Sequence, residues 1–233
     1  MTKRLWWALC LVGVGAVARA QVPSPEPVFD TREANLIAVL RESAGANQEE
    51  ETLQPYGTLQ ARLPDGSEVE LETSWYRYVG DMHIRLVFDS RTQLQSASPD
   101  DLDRLRLDPE QAVRVAVGNL RRTYGEPQVR PWTGGLMQVS GRADDLNSSY
   151  FLDRDFWSDL EARHRSGLVV AVPQRGGLLY APADDPHAIT ALRFSAPALY
   201  AASRTRVSSA LYLFKDGHWS VFQPPLSAER TAQ

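Results

Sequence analysis

The five residues from Leu168 to Val172, LVVAV, carry no polar side chain, and that run limits the folds open to the chain. A strand with water on one face alternates apolar and polar residues, so an unbroken apolar run of this length belongs to a strand covered on both faces. It predicts a central strand with a layer of structure on either side. The neighbouring residues predict the rest of that unit. A short aromatic strand around Tyr150 and Phe151 comes first, followed by a helix that Asp153 caps, with Asp155 in its first turn and Phe156, Trp157 and Leu160 on its inner side. After Val172, the Gly176-Gly177 turn leads into a second apolar strand ending near Ala181.

Elsewhere the chain switches between helical and strand periods. Asp30 and Glu33 match a capping box, and Ala34, Ile37, Leu40 and Ala44 recur at helical spacing, which predicts a helix to about Ser43. Gly45 to Thr52 reads as a solvated acidic loop. From Tyr56 to Phe88 the period is two. Leu59, Ala61 and Leu63 turn back at Pro64-Asp65-Gly66-Ser67 into Val69, Leu71, Thr73 and Trp75, and a second reversal at Gly80-Asp81 leads to Met82, Ile84, Leu86 and Phe88. This predicts a three-stranded antiparallel meander, with His83 on its solvent side.

Ser98-Pro99 opens a short helical turn. Asp108, Pro109 and Gln111 open a longer helix whose face is Val113, Ala116, Val117, Leu120 and Tyr124. Arg121 and Arg122 fall at its negative end, and Gly125 and Pro127 stop it. A hairpin of Gln128 to Trp132 with Leu136 to Ser140 is expected at a sheet edge because of Pro131. Asp185-Pro186 begins a last helix through Tyr200, which Pro197 is expected to kink or end. Val207 to Phe214 and His218 to Phe222 close the chain as a hairpin over Lys215-Asp216-Gly217. The expectation is an α+β fold, mostly antiparallel sheet with three to four packing helices.

The pattern YFLDRDFW, then LVVAVPQRGGLLYA, then a helix and the hairpin ALYLFKDGHWSVF, resembles the C-terminal part of an uncharacterised bacterial family, domain-of-unknown-function family 1444. The upstream LDPEQAVRVAVGNLRRTY resembles the helix that precedes this region there, so the likeness covers roughly Leu107 to Phe222. It implies an α+β fold and no particular activity, and it carries over no functional residue. The export signal described next departs from the family's cytoplasmic members.

Residues 1–20 read as a secretory signal peptide: Lys3 and Arg4, an apolar run from Leu5 to Val17, and the cleavage site Ala18-Arg19-Ala20. The apolar run is shorter than the roughly 20 residues of a membrane span, so a protein exported to the periplasm or medium is expected, with no stable membrane insertion after cleavage. Cleavage removes the only cysteine, Cys10, and with it any disulfide or thiol chemistry. It also removes Lys3, Arg4 and Arg19, taking the formal charge from -4 to -7, which argues against nucleic acid as a partner. Residues 21–28 form a proline-rich spacer. Residues 29–222 are expected to be one domain, with 29–107 and 108–222 as alternative lobes, and 223–233 a loose tail.

No nucleophile elbow, zinc-protease helix, phosphate-binding loop, dinucleotide turn or calcium loop is present in the sequence, so no cofactor is expected. Asp184, Asp185 and His187 are the one place where a histidine stands beside carboxylates, and they are the candidate catalytic group. Asp153 and Asp155 are the candidate metal ligands, though both also suit a helix start. Trp75, Tyr76 and Tyr78 are the candidate binding surface, since aromatic faces stack on flat ligands. Two classes remain: a non-enzymatic module for a protein or small-molecule partner, and a hydrolase or metal-dependent enzyme assembled from dispersed Asp and His residues.

Overall fold

The computed structural model describes residues 30–90 and 93–226. The signal peptide and spacer read at 1–28, and most of the tail, lie outside them. The elements run in the order β1 (Leu36–Glu42), β2 (Gln54–Pro55), β3 (Leu59–Arg62), β4 (Glu68–Leu71), β5 (Trp75–Arg77), β6 (Met82–Asp89), β7 (Leu94–Ser96), α1 (Pro99–Leu105) and α2 (Pro109–Tyr124). There follow β8 (Gln128–Pro131), β9 (Met137–Ser140), a 3-10 segment (Asp144–Leu152), α3 (Arg154–Glu161), β10 (Leu168–Gln174), β11 (Gly177–Pro182), α4 (Pro186–Ala202), β12 (Leu211–Lys215) and β13 (His218–Gln223). The strands form three antiparallel sheets, and the fold is α+β.

The larger sheet has the order β13-β12-β10-β11-β9-β8, which places the LVVAV strand inside it. Both of its faces are covered. Val169, Ala171, Leu179 and Ala181 pack under α4 against Ala188, Ile189, Leu192 and Ala196. Val170, Val172, Tyr180, Tyr212 and Phe214 face the main core instead, where Phe151 stacks on Trp219 with ring centroids 3.8 Å apart and Trp157 meets Trp219 edge-on. That core is one cluster of buried residues running from Leu36 to Trp219.

The first sheet has the order β1-β6-β5-β2, with β7 following β5 along the same edge of β6. Its central strand β6 pairs with β1 over seven residues, from Leu36 opposite Phe88 to Glu42 opposite Met82. The helix expected from Asp30 to Ser43 is therefore a 3-10 turn at Glu33–Asn35 followed by a strand. Leu36 to Leu40 are all buried, and a run needing cover on every side finds it in a sheet rather than on an exposed helix. α2 holds the entry to this strand: the Asn119 side-chain amide donates to the carbonyls of Glu33 and Leu36, and Arg122 donates to that of Ala34.

Further corrections share a cause in long-range packing. The aromatic strand expected around Tyr150 is the end of the 3-10 segment, where the Tyr150 hydroxyl donates to the carbonyl of Gly125 and Phe151 fills the core. The hairpin β3-β4 stands as a separate two-stranded sheet, since Leu59, Ala61, Val69 and Leu71 have no layer to pack on. α4 passes through Pro197 unbroken, held on the sheet by buried Leu192 and Ala196 on the turn before it. The last hairpin begins at Leu211, not Val207, because Ser208 turns the chain with its hydroxyl accepting from the N–H of Ala210.

Candidate functional site

α2 is capped as its sequence requires, with the Asp108 carboxylate accepting from the N–H of Gln111 and the Gln111 side chain accepting from that of Asp108. Its buried face holds β1, and a second stripe at helical spacing, Glu110, Arg114, Val117, Gly118 and Arg121, borders a cleft of about 630 Å³. The facing walls come from far apart in the chain: Tyr78 and Ile84 of the β5-β6 hairpin, the loop at Glu51 to Leu53, the α3 start from Leu152 to Asp155, and His218 at the rim. Its volume lies in the range of small-molecule sites.

Most of the charge in this cleft is already matched. Arg121 makes two parallel bonds to Asp153, Nε to Oδ2 at 2.6 Å and Nη2 to Oδ1 at 2.5 Å, and its Nε lies 3.3 Å from Glu126. The Asp153 side chain is 2% exposed and also accepts from the N–H of Phe156 at 3.2 Å, so it caps α3 and pairs with α2 at once. Burial holds its carboxyl above the usual range, and the Arg121 guanidinium offsets only part of that rise. On the opposite wall Glu51 is bound by Arg154, accepts from the Tyr78 hydroxyl at 3.2 Å, and lies 3.4 Å from His218 Nδ1. Burial, with the Glu51 charge beside it, pushes the Tyr78 hydroxyl far above its ordinary range. Glu110, Arg114 and Asp155 have no ion-pair partner among the described residues.

Gly118 is an interior position of α2, where glycine is unfavourable by about 1 kcal/mol relative to alanine. A Cβ there would meet no atom within 4 Å. Nothing packed against the helix requires the glycine, so its effect is to leave the cleft open.

The candidate residues read from the sequence separate. Asp153 and Asp155 line the cleft. Asp185 instead caps α4, accepting from the N–H groups of His187 and Ala188 at 3.0 Å, and Asp184 and His187 are exposed at that helix start, outside the cleft. Tyr78 lines the cleft, Tyr76 is buried, and Trp75 sits half-buried on the other face of the first sheet. Among the described residues no three His, Cys, Asp or Glu side chains gather as a group that could hold a metal ion. Nor is any helix there long and apolar enough to cross a membrane.

His83, expected at the solvent side of its strand, is 1% exposed. Its ring lies 4.7 Å from that of Tyr56 and 5.5 Å from that of Trp75. Nε2 accepts from Arg85 Nε at 2.8 Å, which leaves Nδ1 to donate to the Ser43 hydroxyl at 2.9 Å. Burial, with Arg85 and Arg41 nearby, pushes its pKa down to about 4, so the ring is neutral.

Sequence reasoning assigned Arg121 to the helix dipole and did not single out Glu51, Arg154 or Gly118. The one local signal for any of them was the glycine inside a strong helical pattern. Fold and cleft together define an α+β protein with a charge-rimmed, apolar-floored depression of small-molecule size. Compared with protein-family models, curated proteins and solved structures, the chain matches none of them.

Proposed function

We propose that the protein is an exported, non-enzymatic binding module whose cleft beside α2 takes a small amphipathic molecule. Its apolar part would lie on Leu53, Ile84, Val113 and Val117, with a polar end among Glu110, Arg114 and Asp155. The observation that carries this reading is that Asp153 and Glu51, the acids best placed for proton transfer or metal binding, are held in ion pairs with Arg121 and Arg154. Both oxygens of each carboxylate already accept hydrogen bonds, those of Asp153 from Arg121 and those of Glu51 from Arg154 and Tyr78, so neither is turned toward a ligand, whereas a pre-paired wall is a rigid surface for recognition. The export signal supplies the location, and the likeness to family 1444 brings no activity with it.

The test uses the neutral fluorophore N-phenyl-1-naphthylamine with wild type and Gly118→Leu. Leucine favours helix and projects into the open side of the cleft, so the variant should melt no lower than wild type and bind the probe at least about tenfold more weakly. Equal affinity in the two proteins, or no saturable binding in wild type, would overturn the assignment of the cleft.

A further inference from the structure

The opposite face of the first sheet carries the reverse electrostatic arrangement. Strand register places Arg41 of β1 beside His83 of β6, and Arg85 of β6 beside Trp75 of β5, so these four side chains share one face. The Arg85 guanidinium lies 3.5 Å from the centre of the Trp75 ring while its Nε holds His83. Arg41 donates one Nη1 bond to the carbonyl of Leu40. Arg175, from the turn between β10 and β11, joins them closely enough that its charge works against those of Arg41 and Arg85. Burial together with these like charges lowers the Arg41 pKa to about 10.

No carboxylate among the described residues forms an ion pair with this group. None of the three arginines has a carboxylate within ion-pair distance, and Asp145 acts on Arg41 only from further away. Unused donors add to the imbalance: Arg175 Nε and Trp75 Nε1 are buried with no hydrogen-bond partner. Half-buried like charges and unpaired N–H donors are each destabilising, and a bound oxyanion would offset the like charges, since guanidinium forks match its geometry. Ser43, bonded to His83, also lines a hollow of about 200 Å³ with Gln48, Arg77 and Gly80, so the region borders open space.

We propose that Arg41, Arg85 and Arg175, on the platform of Trp75 and His83, form a recognition site for a phosphate group, separate from the cleft beside α2. The neutral His83 has a positioning role: by accepting from Arg85 Nε it holds that guanidinium over the Trp75 ring. The group's charge is concentrated at one point rather than spread in a stripe, which suits one compact dianion and not a nucleic-acid backbone.

The experiment compares wild type with Arg175→Gln in inorganic phosphate, in a phosphomonoester (phenyl phosphate), and in sodium chloride of equal ionic strength, by thermal melting and calorimetric titration. Arg175 occupies a turn whose bonds at this residue are main-chain, so glutamine leaves them in place. Without added anion the variant should melt at or above wild type, because one of three repelling charges is gone. Phosphate should raise the melting temperature of wild type above the chloride control, and the variant should lose about tenfold or more in affinity. Tighter binding of the ester than of phosphate assigns the site to a larger phosphorylated molecule; equal binding assigns it to the free ion. A rise of equal size in both proteins would be a general salt effect and would overturn the proposal, as would no difference between phosphate and chloride in wild type.

Discussion

The two faces of the first sheet handle arginine in opposite ways. On the Ile84 side, Arg121 and Arg154 each meet a carboxylate, Asp153 and Glu51, so the arginines of the cleft's inner walls are paired. On the His83 side, one residue along the same strand, Arg41, Arg85 and Arg175 lie near enough for their like charges to oppose one another. A paired charge serves the fold, because removing its partner leaves an ion stranded. An unpaired cluster costs stability in the free protein and is compensated only by something that arrives. The contrast predicts that substitutions on the first face are destabilising and those on the second are tolerated.

Arg121→Ala should be the most damaging change at the cleft. It leaves Asp153, 2% exposed, with its cap to Phe156 but no counter-ion. Breaking a fully buried pair from one side costs about 3 to 5 kcal/mol, and the 26% exposure of Arg121 reduces the expected loss here to about 2 to 4 kcal/mol. Urea unfolding of Arg121→Ala beside Arg175→Gln checks it. Equal losses in the two would erase the distinction between the faces.

The β5-β6 turn carries a buried acid with no ion-pair partner among the described residues. Asp81 accepts from the hydroxyls of Ser208 and Tyr212, and burial pushes its pKa up to about 6. For a raised acid, the stabilising contribution is complete below the ordinary value of 3.8 and is lost as pH rises through 6. His83 works in the other direction: with its pKa at about 4, its contribution is complete above 6.5 and is lost as pH falls. The two opposed slopes nearly cancel over the same interval in wild type. Asp81→Asn keeps an acceptor for both hydroxyls and should gain on wild type by about 2 to 3 kcal/mol between about pH 4 and pH 7. A constant difference across that range would mean that Asp81 is ionised throughout.

Local chemistry was readable from the sequence. The Asp108 and Gln111 capping box, the Asp153 and Asp185 caps and the Asp216-Gly217 turn, with both residues at positive φ, depend on neighbours within a few positions. The double burial of Leu168 to Val172 was readable because such a run has few alternatives. β1 was not: LIAVL has no period, and Ala34, Ile37, Leu40 and Ala44 matched a helix by coincidence, while the partner strand lies more than forty residues on. The same separation hid both candidate sites. Asp153 was visible as a cap, but its ion-pair partner is 32 residues away, and the arginine cluster joins positions 41, 85 and 175. His83 alternated correctly, yet its outer face is covered by Tyr56 and Trp75 rather than by water.

Asp153→Asn sharpens the comparison by removing the charge and keeping the cap. Asparagine caps nearly as well as aspartate, so a pure capping residue would tolerate the change. Here one of the two bonds from Arg121 becomes an N–H facing an N–H, for a loss of about 1 to 2 kcal/mol, less than Arg121→Ala because no ion is left buried. Melts in EDTA and in added calcium, magnesium, manganese or zinc should leave wild type unchanged. A metal-dependent rise in wild type that vanishes in Asp153→Asn would replace the binding-module reading with a metal-dependent one.

Gly118→Ala is the smallest change and the most direct test of what the cleft is for. The residue is exposed on α2, its backbone is helical, and a methyl group there touches nothing within 4 Å, so no packing opposes the substitution. Alanine restricts the unfolded chain and favours the helix, which should raise stability by about 0.5 to 1 kcal/mol. If the opening beside Gly118 receives a ligand, the same methyl narrows it, and N-phenyl-1-naphthylamine should bind Gly118→Ala more weakly than wild type but more tightly than Gly118→Leu. Stability and binding would then move in opposite directions at one position, as expected where a glycine is kept for space at the expense of the helix. A variant that gains stability and binds the probe unchanged would show that the open side of α2 is empty without purpose, leaving the arginine face as the only candidate for recognition on this sheet.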